Sequence, residues 1–267
     1  APGATINTDR AFVKGTVMGA TTDVGVAVNG VLAFVTGTEW VAEVPLNPGP
    51  NVLTVIATDT SGAQVSTILN LIVSQVASAP VLLRASPDSG VAPLVVTWHV
   101  LNQTGRPLVR FEFDETGSGT FGAPTTAFDG TQTTYTSAGL RFPILRATDE
   151  LGTIYAATTI INVESAQTVT ARFQSRWNSL KDRLQAGDLP GALAHFAPDV
   201  QAGFQGIFQR LAQDLPTIAA GLGQLEVVEQ VGSLAEAILV QQESGVPVLH
   251  FIYFRRDSLG RWLIEEM

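Results

Sequence analysis

The sequence predicts a multidomain chain: two all-β sandwiches followed by an α+β domain in which helices pack on a curved antiparallel sheet. Three observations predict it. The phrase Ala57-Thr58-Asp59-Thr60-Ser61-Gly62 returns as Ala147-Thr148-Asp149-Glu150-Leu151-Gly152, each copy between two strand-like runs, so each reads as the turn of a C-terminal hairpin. The spacing, about 90 residues, is that of a sandwich domain and not of a short solenoid repeat. Thr, Ser, Gly, Val and Ala dominate the first 165 residues, a composition that suits exposed β-structure with short turns. After Glu164-Ser165 the period changes, and Phe173, Trp177, Leu180 and Leu184 fall on a helical stripe.

The 267 residues accommodate two or three domains, and three are expected: residues 1–76, 79–165 and 166–267. A formal charge of −9 and a pI near 4.7 argue against nucleic acid or an anionic membrane as partner, because phosphate binding relies on clustered Lys and Arg. The absence of cysteine removes disulfides, thiolate catalysis, Fe–S clusters and thiolate zinc sites. The compartment must therefore come from the module types. No uninterrupted apolar stretch reaches about 18 residues, so no membrane span is expected. Ala1-Pro2-Gly3-Ala4 lacks a basic region and an apolar region, and the chain is expected to be cut from a longer one.

In the first module the strands run Ala11 to Met18, Val24 to Val28, Val31 to Val35, Trp40 to Val44, Val52 to Thr58 and Gln64 to Val73. Asn29-Gly30 is a hairpin signal, since both residues tolerate positive φ. Leu46-Asn47-Pro48-Gly49-Pro50-Asn51 is a second turn, its prolines confined to strand ends. Gly15-Thr16-Val17, Val26 to Val31, Trp40 to Leu46, Gly49-Pro50-Asn51 and Ala57-Thr58-Asp59 together resemble a bacterial immunoglobulin-like domain over residues 5 to 75. That resemblance implies a spacer or adhesion module without catalytic residues.

Ser74 to Pro80 reads as a small-residue linker. Beyond it, Ala85-Ser86-Pro87-Asp88-Ser89-Gly90-Val91-Ala92-Pro93 through Trp98 resembles the opening of a polycystic-kidney-disease (PKD) domain. Phe111-Glu112-Phe113-Asp114 resembles that family's central strand, with Phe111 in place of the usual Trp or Tyr, and Thr116-Gly117-Ser118-Gly119 replaces an Asp-rich turn. Tyr135 to Gly139 and Ala147-Thr148-Asp149 fit its closing hairpin.

In the last module Gly187 ends the first helix, Asp188 is placed to cap the next, and Pro190 sits early in it. A third helix is expected near Phe204 to Leu215, with Phe204, Phe208, Leu211 and Leu215 on one side. Strands are expected at Leu225 to Val231, Leu234 to Gln242, Val246 to Arg255 and Arg261 to Glu265, and helices followed by such a meander indicate α+β. Trp177-x-x-Leu180-Lys181-x-x-Leu184-x-x-Gly187-Asp188-x-x-x-Ala192-Leu193-x-x-Phe196 and Phe251-x-x-Phe254-x-Arg256-Asp257-x-x-Gly260-Arg261-Trp262-x-Ile264 resemble the opening and closing segments of the SnoaL-like, nuclear-transport-factor-like cone fold. Because the chain ends on the last strand that this resemblance implies, Met267 is expected to lie close to the natural C-terminus.

The cone resemblance implies a pocket, and relatives use an Asp or His base with Tyr or Asp donors. His195, His250, Tyr253 and Asp188 are the pieces available. His250 and Tyr253 stand three apart on one strand and so point to opposite faces, and His195 reads as a partly exposed structural histidine in a short Ala-rich helix. Asp114-x-Thr116-x-Ser118-Gly119 imitates a calcium loop, but one carboxylate remains and Thr125 occupies the twelfth position, so Asp114 is a weak metal candidate and a turn is the reading. Asp59 and Asp149 are expected to cap their own turns. Trp40, Trp98, Trp177 and Trp262 read as core.

The expected function is therefore a non-catalytic structural, adhesive or interaction segment of a bacterial secreted or cell-surface protein, a β-sandwich stalk carrying a cone-fold association domain, with no cofactor. Apolar residues on both faces of the third terminal strand, Val248, Leu249, Phe251, Ile252 and Phe254, exceed what one covered face requires. Leu249, Phe251 and Tyr253 are the candidate association face, for self-association or another protein subunit. Two alternatives stay open: a small-molecule-binding or catalytic cone domain on a β stalk, and a carbohydrate-binding accessory module with polysaccharide as partner.

Overall fold

A computed structural model describes residues 5–18, 23–77, 79–243 and 246–267. The chain start, Ala1 to Ala4, and Ser78 of the expected linker lie outside them. In chain order the strands of the first third are β1 (Thr5–Thr8), β2 (Arg10–Thr16), β3 (Gly25–Val28), β4 (Val31–Leu32), β5 (Phe34–Thr36), β6 (Glu39–Pro45), β7 (Gly49–Thr58) and β8 (Gln64–Ala77). Then come β9 (Val81–Ser86), β10 (Ser89–Val91), β11 (Leu94–Asn102), β12 (Leu108–Asp114), β13 (Gln132–Tyr135), β14 (Gly139–Arg141), β15 (Ile144–Asp149), β16 (Ile154–Thr158) and β17 (Ile161–Glu164). The remainder holds α1 (Ala166–Gln185), α2 (Leu189–Leu193), α3 (Gln201–Arg210), α4 (Leu215–Gly221), β18 (Leu225–Val231), β19 (Leu234–Glu243), β20 (Val246–Arg256) and β21 (Trp262–Glu266). No helix among the described residues is long and apolar enough to cross a membrane.

These elements form two compact units, each assembled from separated stretches. The first comprises residues 1–16, 39–55 and 67–165, and the second comprises residues 17–38, 56–66 and 166–267.

In the first unit β2 pairs antiparallel with β6, Val13 opposite Ala42 and Gly15 opposite Trp40. Gly15 is required there because a Cβ would fall 2.8 Å from the Trp40 ring. The stretch expected as a linker is strand as far as Ala77: Thr5, Ile6 and Thr8 of β1 pair in parallel with Ile72, Val73 and Ala77. A ladder partner, invisible in the local composition, holds that backbone extended. The second half of this unit is a β-sandwich. One sheet has the order β13-β11-β9 and another β12-β15-β16, with β14-β17-β10 beside them. Alternating residues from these strands, among them Val96, Trp98, Phe111, Leu145 and Ile161, meet in one core. Trp98 packs edge-on to Phe113 and satisfies its indole N–H on Thr133 Oγ1 at 2.9 Å.

In the second unit Asn29 and Gly30, with φ of 48° and 81°, close the β3–β4 hairpin as expected. The stripe of α1 is buried along its whole length, Phe173, Trp177 and Leu180 fully so. Gly187 adopts φ 69° beyond the helix end, and Asp188 caps α2 by accepting from the Gly191 N–H at 3.0 Å. The third expected helix is two. α3 ends at Arg210 and α4 begins at Leu215, because Pro216 lacks the N–H that a continuous helix would need. Leu211, expected on the buried side, is exposed in that break. β18, β19, β20 and β21 form an antiparallel meander in that order. The free edge of β21 is covered by residues 195–197: Ile264 N donates to His195 O and Ala197 N to Ile264 O, both at 2.8 Å.

One turn recurs three times. Asp59, Asp149 and Asp257 each accept at Oδ1 from the N–H groups two and four residues later, at 2.8 to 2.9 Å. Each is followed three residues on by a glycine with φ of 87°, 83° or 84°, namely Gly62, Gly152 and Gly260. Asp59 and Asp149 thus cap their own turns, as expected, and Asp257 does the same in the α+β unit.

Candidate association face

The meander has one filled face and one that is partly open to solvent along β19 and β20. Inward, Ala235, Ala237 and Leu239 of β19 and Ile252 and Phe254 of β20 are buried under α1. Phe173 of α1 sits 4.6 Å from the Phe254 ring and 5.1 Å from Trp262, and Trp177 donates its indole N–H to Gly223 O at 3.0 Å. Aromatic side chains occupy the space between helix and sheet. All four tryptophans of the chain are buried, as the sequence pattern predicts.

Outward, the alternation puts Leu234, Glu236, Ile238 and Val240 of β19 beside Leu249, Phe251 and Tyr253 of β20. The register pairs Val240 with Leu249, Ile238 with Phe251 and Glu236 with Tyr253. Leu249 is 53% exposed, Phe251 45% and Tyr253 38%, and Leu234 beyond them is 59% exposed. Val248, also expected to be apolar surplus, belongs to the inner face with His250. The three residues of the candidate face therefore stand together in solvent on one side of one strand. Burial and then the neighbouring Glu236 and Glu266 carboxylates raise the Tyr253 phenol above its ordinary range.

The residues considered for catalysis are dispersed. His250 faces inward and Tyr253 outward, so the two do not share a wall. The Asp188 carboxylate is held by the Gly191 N–H and by Arg183 at 2.7 Å, which together keep it ionised below the usual carboxylate range. His195 departs from expectation. It lies beyond the end of α2 and is 7% exposed, not partly exposed, because the bonds of residues 195–197 to β21 draw it beneath α1. Its Nε2 is 3.3 Å from Ser179 Oγ. Burial, followed by Arg176 and Arg183, pushes its pKa down to about 4.

Arg176 belongs to a buried pair that the sequence did not disclose. Its Nε donates to Asp23 Oδ2, and both side chains are buried. Arg176 Nη2 has no hydrogen-bond partner among the described residues. The pair ties the stretch before β3 to α1. Close by in the same unit, Gly25 and Gly260 lie backbone to backbone, a Cβ on Gly260 falling 2.8 Å from Gly25 Cα. Arg256 donates from Nη2 to Ala33 O at 2.9 Å and from Nε to Gly260 O at 3.1 Å.

Asp114 forms a turn. Its Oδ1 accepts from the N–H groups of Thr116, Gly117 and Ser118, and its Oδ2 from Gly119 at 2.6 Å. Burial opposes its charge, but those backbone donors outweigh it and hold the carboxyl below its ordinary pKa. No group of three or more His, Cys, Asp or Glu placed to hold a metal occurs among the described residues.

No family model and no curated protein matches the chain. Among solved structures it is similar to the fibronectin(III)-like modules of CbhA from Clostridium thermocellum, at 12% identity over 61% of this chain and 90% of that one, with a TM-score of 0.23. It is similar to a putative membrane anchored protein from Corynebacterium diphtheriae, at 11% identity over 58% of this chain and 48% of that one, TM-score 0.28. A third is the SGBP-B protein of a mixed-linkage glucan utilization locus of Bacteroides ovatus, solved with a heptasaccharide, at 18% identity over 62% of this chain and 44% of that one, TM-score 0.22. The match thus spans less than half of the last two chains. The β-sandwich assignment rests on this chain's own strand order and core.

Proposed function

We propose that the chain is a non-catalytic interaction segment of a bacterial secreted or cell-surface protein, in which immunoglobulin-like and PKD-like modules carry a SnoaL-like cone domain that docks through its outer sheet face. One observation carries the reading: Val240, Leu249 and Phe251 are exposed, with Ile238 half-buried opposite Phe251, on a sheet whose other face is already packed by α1. Exposed apolar groups clustered in this way mark association surfaces more often than they mark bare solvent-facing sheet. The helix-then-meander order of the second unit supports the cone assignment, and the surface location follows from the two module resemblances. The tilted and edge-on contacts of Phe173 with Phe254 and Trp262 support a structural interior over a substrate pocket.

The test is site-specific photocrosslinking in the source cell, with a benzophenone side chain at position 249 and, as control, at position 150. A discrete crosslinked neighbour from 249 and none from 150 is expected. A purified chain that retains a small molecule in native mass spectrometry, with no crosslink from 249, would replace this reading by the ligand-binding or catalytic one.

A further inference from the structure

Resting on that reading, we propose that the occupant of the outer face is a protein segment whose apolar side is flanked by Lys or Arg, and not a second copy of this chain. The inference comes from a row of carboxylates that crosses the apolar surface. On the outer side Glu229 of β18 pairs with Glu236 of β19, Glu236 pairs with Tyr253 of β20, and Tyr253 pairs with Glu266 of β21. Glu226 stands in the next row, opposite Ile238, whose other neighbour is Phe251. Glu226, Glu229 and Glu266 are exposed. Arg255, opposite Leu234, is already engaged by Asp199 and Glu265. The result is an apolar patch of Ile238, Val240, Leu249 and Phe251 bordered by carboxylates that form no salt bridge among the described residues.

A two-fold contact between copies presents the same patch to itself. It would set this row against its own image or bury it on Leu249 and Phe251 of the other copy, and both arrangements leave carboxylates desolvated beside like charge or hydrocarbon. A basic amphipathic segment removes the conflict, since its apolar stripe covers the patch while its cations neutralise the row. An anionic lipid surface is excluded by the same sign of charge.

The experiment uses the full chain and two synthetic helical peptides, one of Leu and Lys with a single apolar stripe and its counterpart with Glu for Lys, by calorimetry at low and high salt. The Leu/Lys peptide should bind and the Leu/Glu peptide should not. Phe251→Ser should weaken binding about tenfold or more, as removal of a central apolar anchor does. Glu229→Gln combined with Glu236→Gln should weaken it about tenfold and flatten its salt dependence. Glu39→Gln with Glu150→Gln, exposed acids off this face, should change it less than about twofold. Equal binding of the Leu/Glu peptide, or an equal loss from the off-face pair, would overturn the basic partner. Sedimentation showing a self-associated chain that Phe251→Ser makes monomeric would identify a second copy and overturn the inference while keeping the docking face. Saturation of the face by a glucan oligosaccharide in place of the peptide would also overturn it. Phe251→Ser without effect on peptide binding or sedimentation would reject the docking face itself.

Discussion

Lowering the pH from 7 to 4 should destabilise the second unit through His195. Burial, with Arg176 and Arg183 adding their repulsion, pushes the folded imidazole down to about 4, whereas the unfolded one titrates near its ordinary 6.5. Between those values the unfolded chain takes up a proton that the folded chain refuses. Stability from this group is therefore complete above pH 6.5, declines as the pH falls, and levels off below 4. At about 1.4 kcal/mol per pH unit the full loss is about 3 kcal/mol. The carboxylates held below their ordinary range, Asp59, Asp114, Asp149 and Asp188, lose their contributions below pH 3.8. Their window is distinct from that of His195. Urea unfolding of the native chain and of His195→Asn at pH 7, 5.5 and 4.5 reads the difference, and the native chain alone should lose stability steeply over that interval. Parallel loss in the two proteins, or an imidazole resonance titrating near 6.5 in the folded chain, would refute the argument.

Removing one partner of the buried pair, Arg176→Met, should cost about 3–5 kcal/mol because Asp23 is left charged and buried, and adding Asp23→Leu should recover much of it; denaturant midpoints of the three variants decide. Gly260→Ala should cost about 1–3 kcal/mol, since a Cβ there meets Gly25 Cα at 2.8 Å on a backbone with φ of 84°, and thermal unfolding will show it. Trp177→Ala should cost about 3–5 kcal/mol, read the same way, as a fully buried ring is lost from under α1. Calcium at about 5 mM should move the melting temperature by less than about 1 °C, because backbone donors already use both Asp114 oxygens; a large upward shift would show a bound ion.

Much of the fold was legible because apolar period reports burial directly. The stripe Phe173, Trp177, Leu180, Leu184 and the alternation Leu249, Phe251, Tyr253 each place their residues on the face where they are found. What escaped was long-range. Asp23 and Arg176 meet across 153 positions, and neither carries a local sign of its partner. His195 looked exposed because its neighbours are alanines, whereas its burial is imposed by hydrogen bonding to β21. Strand Ser74 to Ala77 looked like a linker for the same reason. The repeated phrase marked turns correctly, but Asp257-Ser258-Leu259-Gly260 makes the same turn between β20 and β21. The motif therefore encodes a hairpin geometry and does not by itself identify a module.

The interleaving of the two units has a consequence for how the chain is made. Residues 17–38 leave the ribosome early, yet Arg176, Arg256 and Gly260, which they pack against, are translated more than 130 residues later. Until then the apolar strand Gly25–Val28, buried along its length in the finished protein, has only residues 17–38 and 56–66 of its own unit to cover it. Vectorial synthesis lets the continuous sandwich of residues 81–164 complete first. The stretch 17–38 must wait through that step, so truncation at the C-terminal end of the chain should damage the unit to which this early stretch belongs.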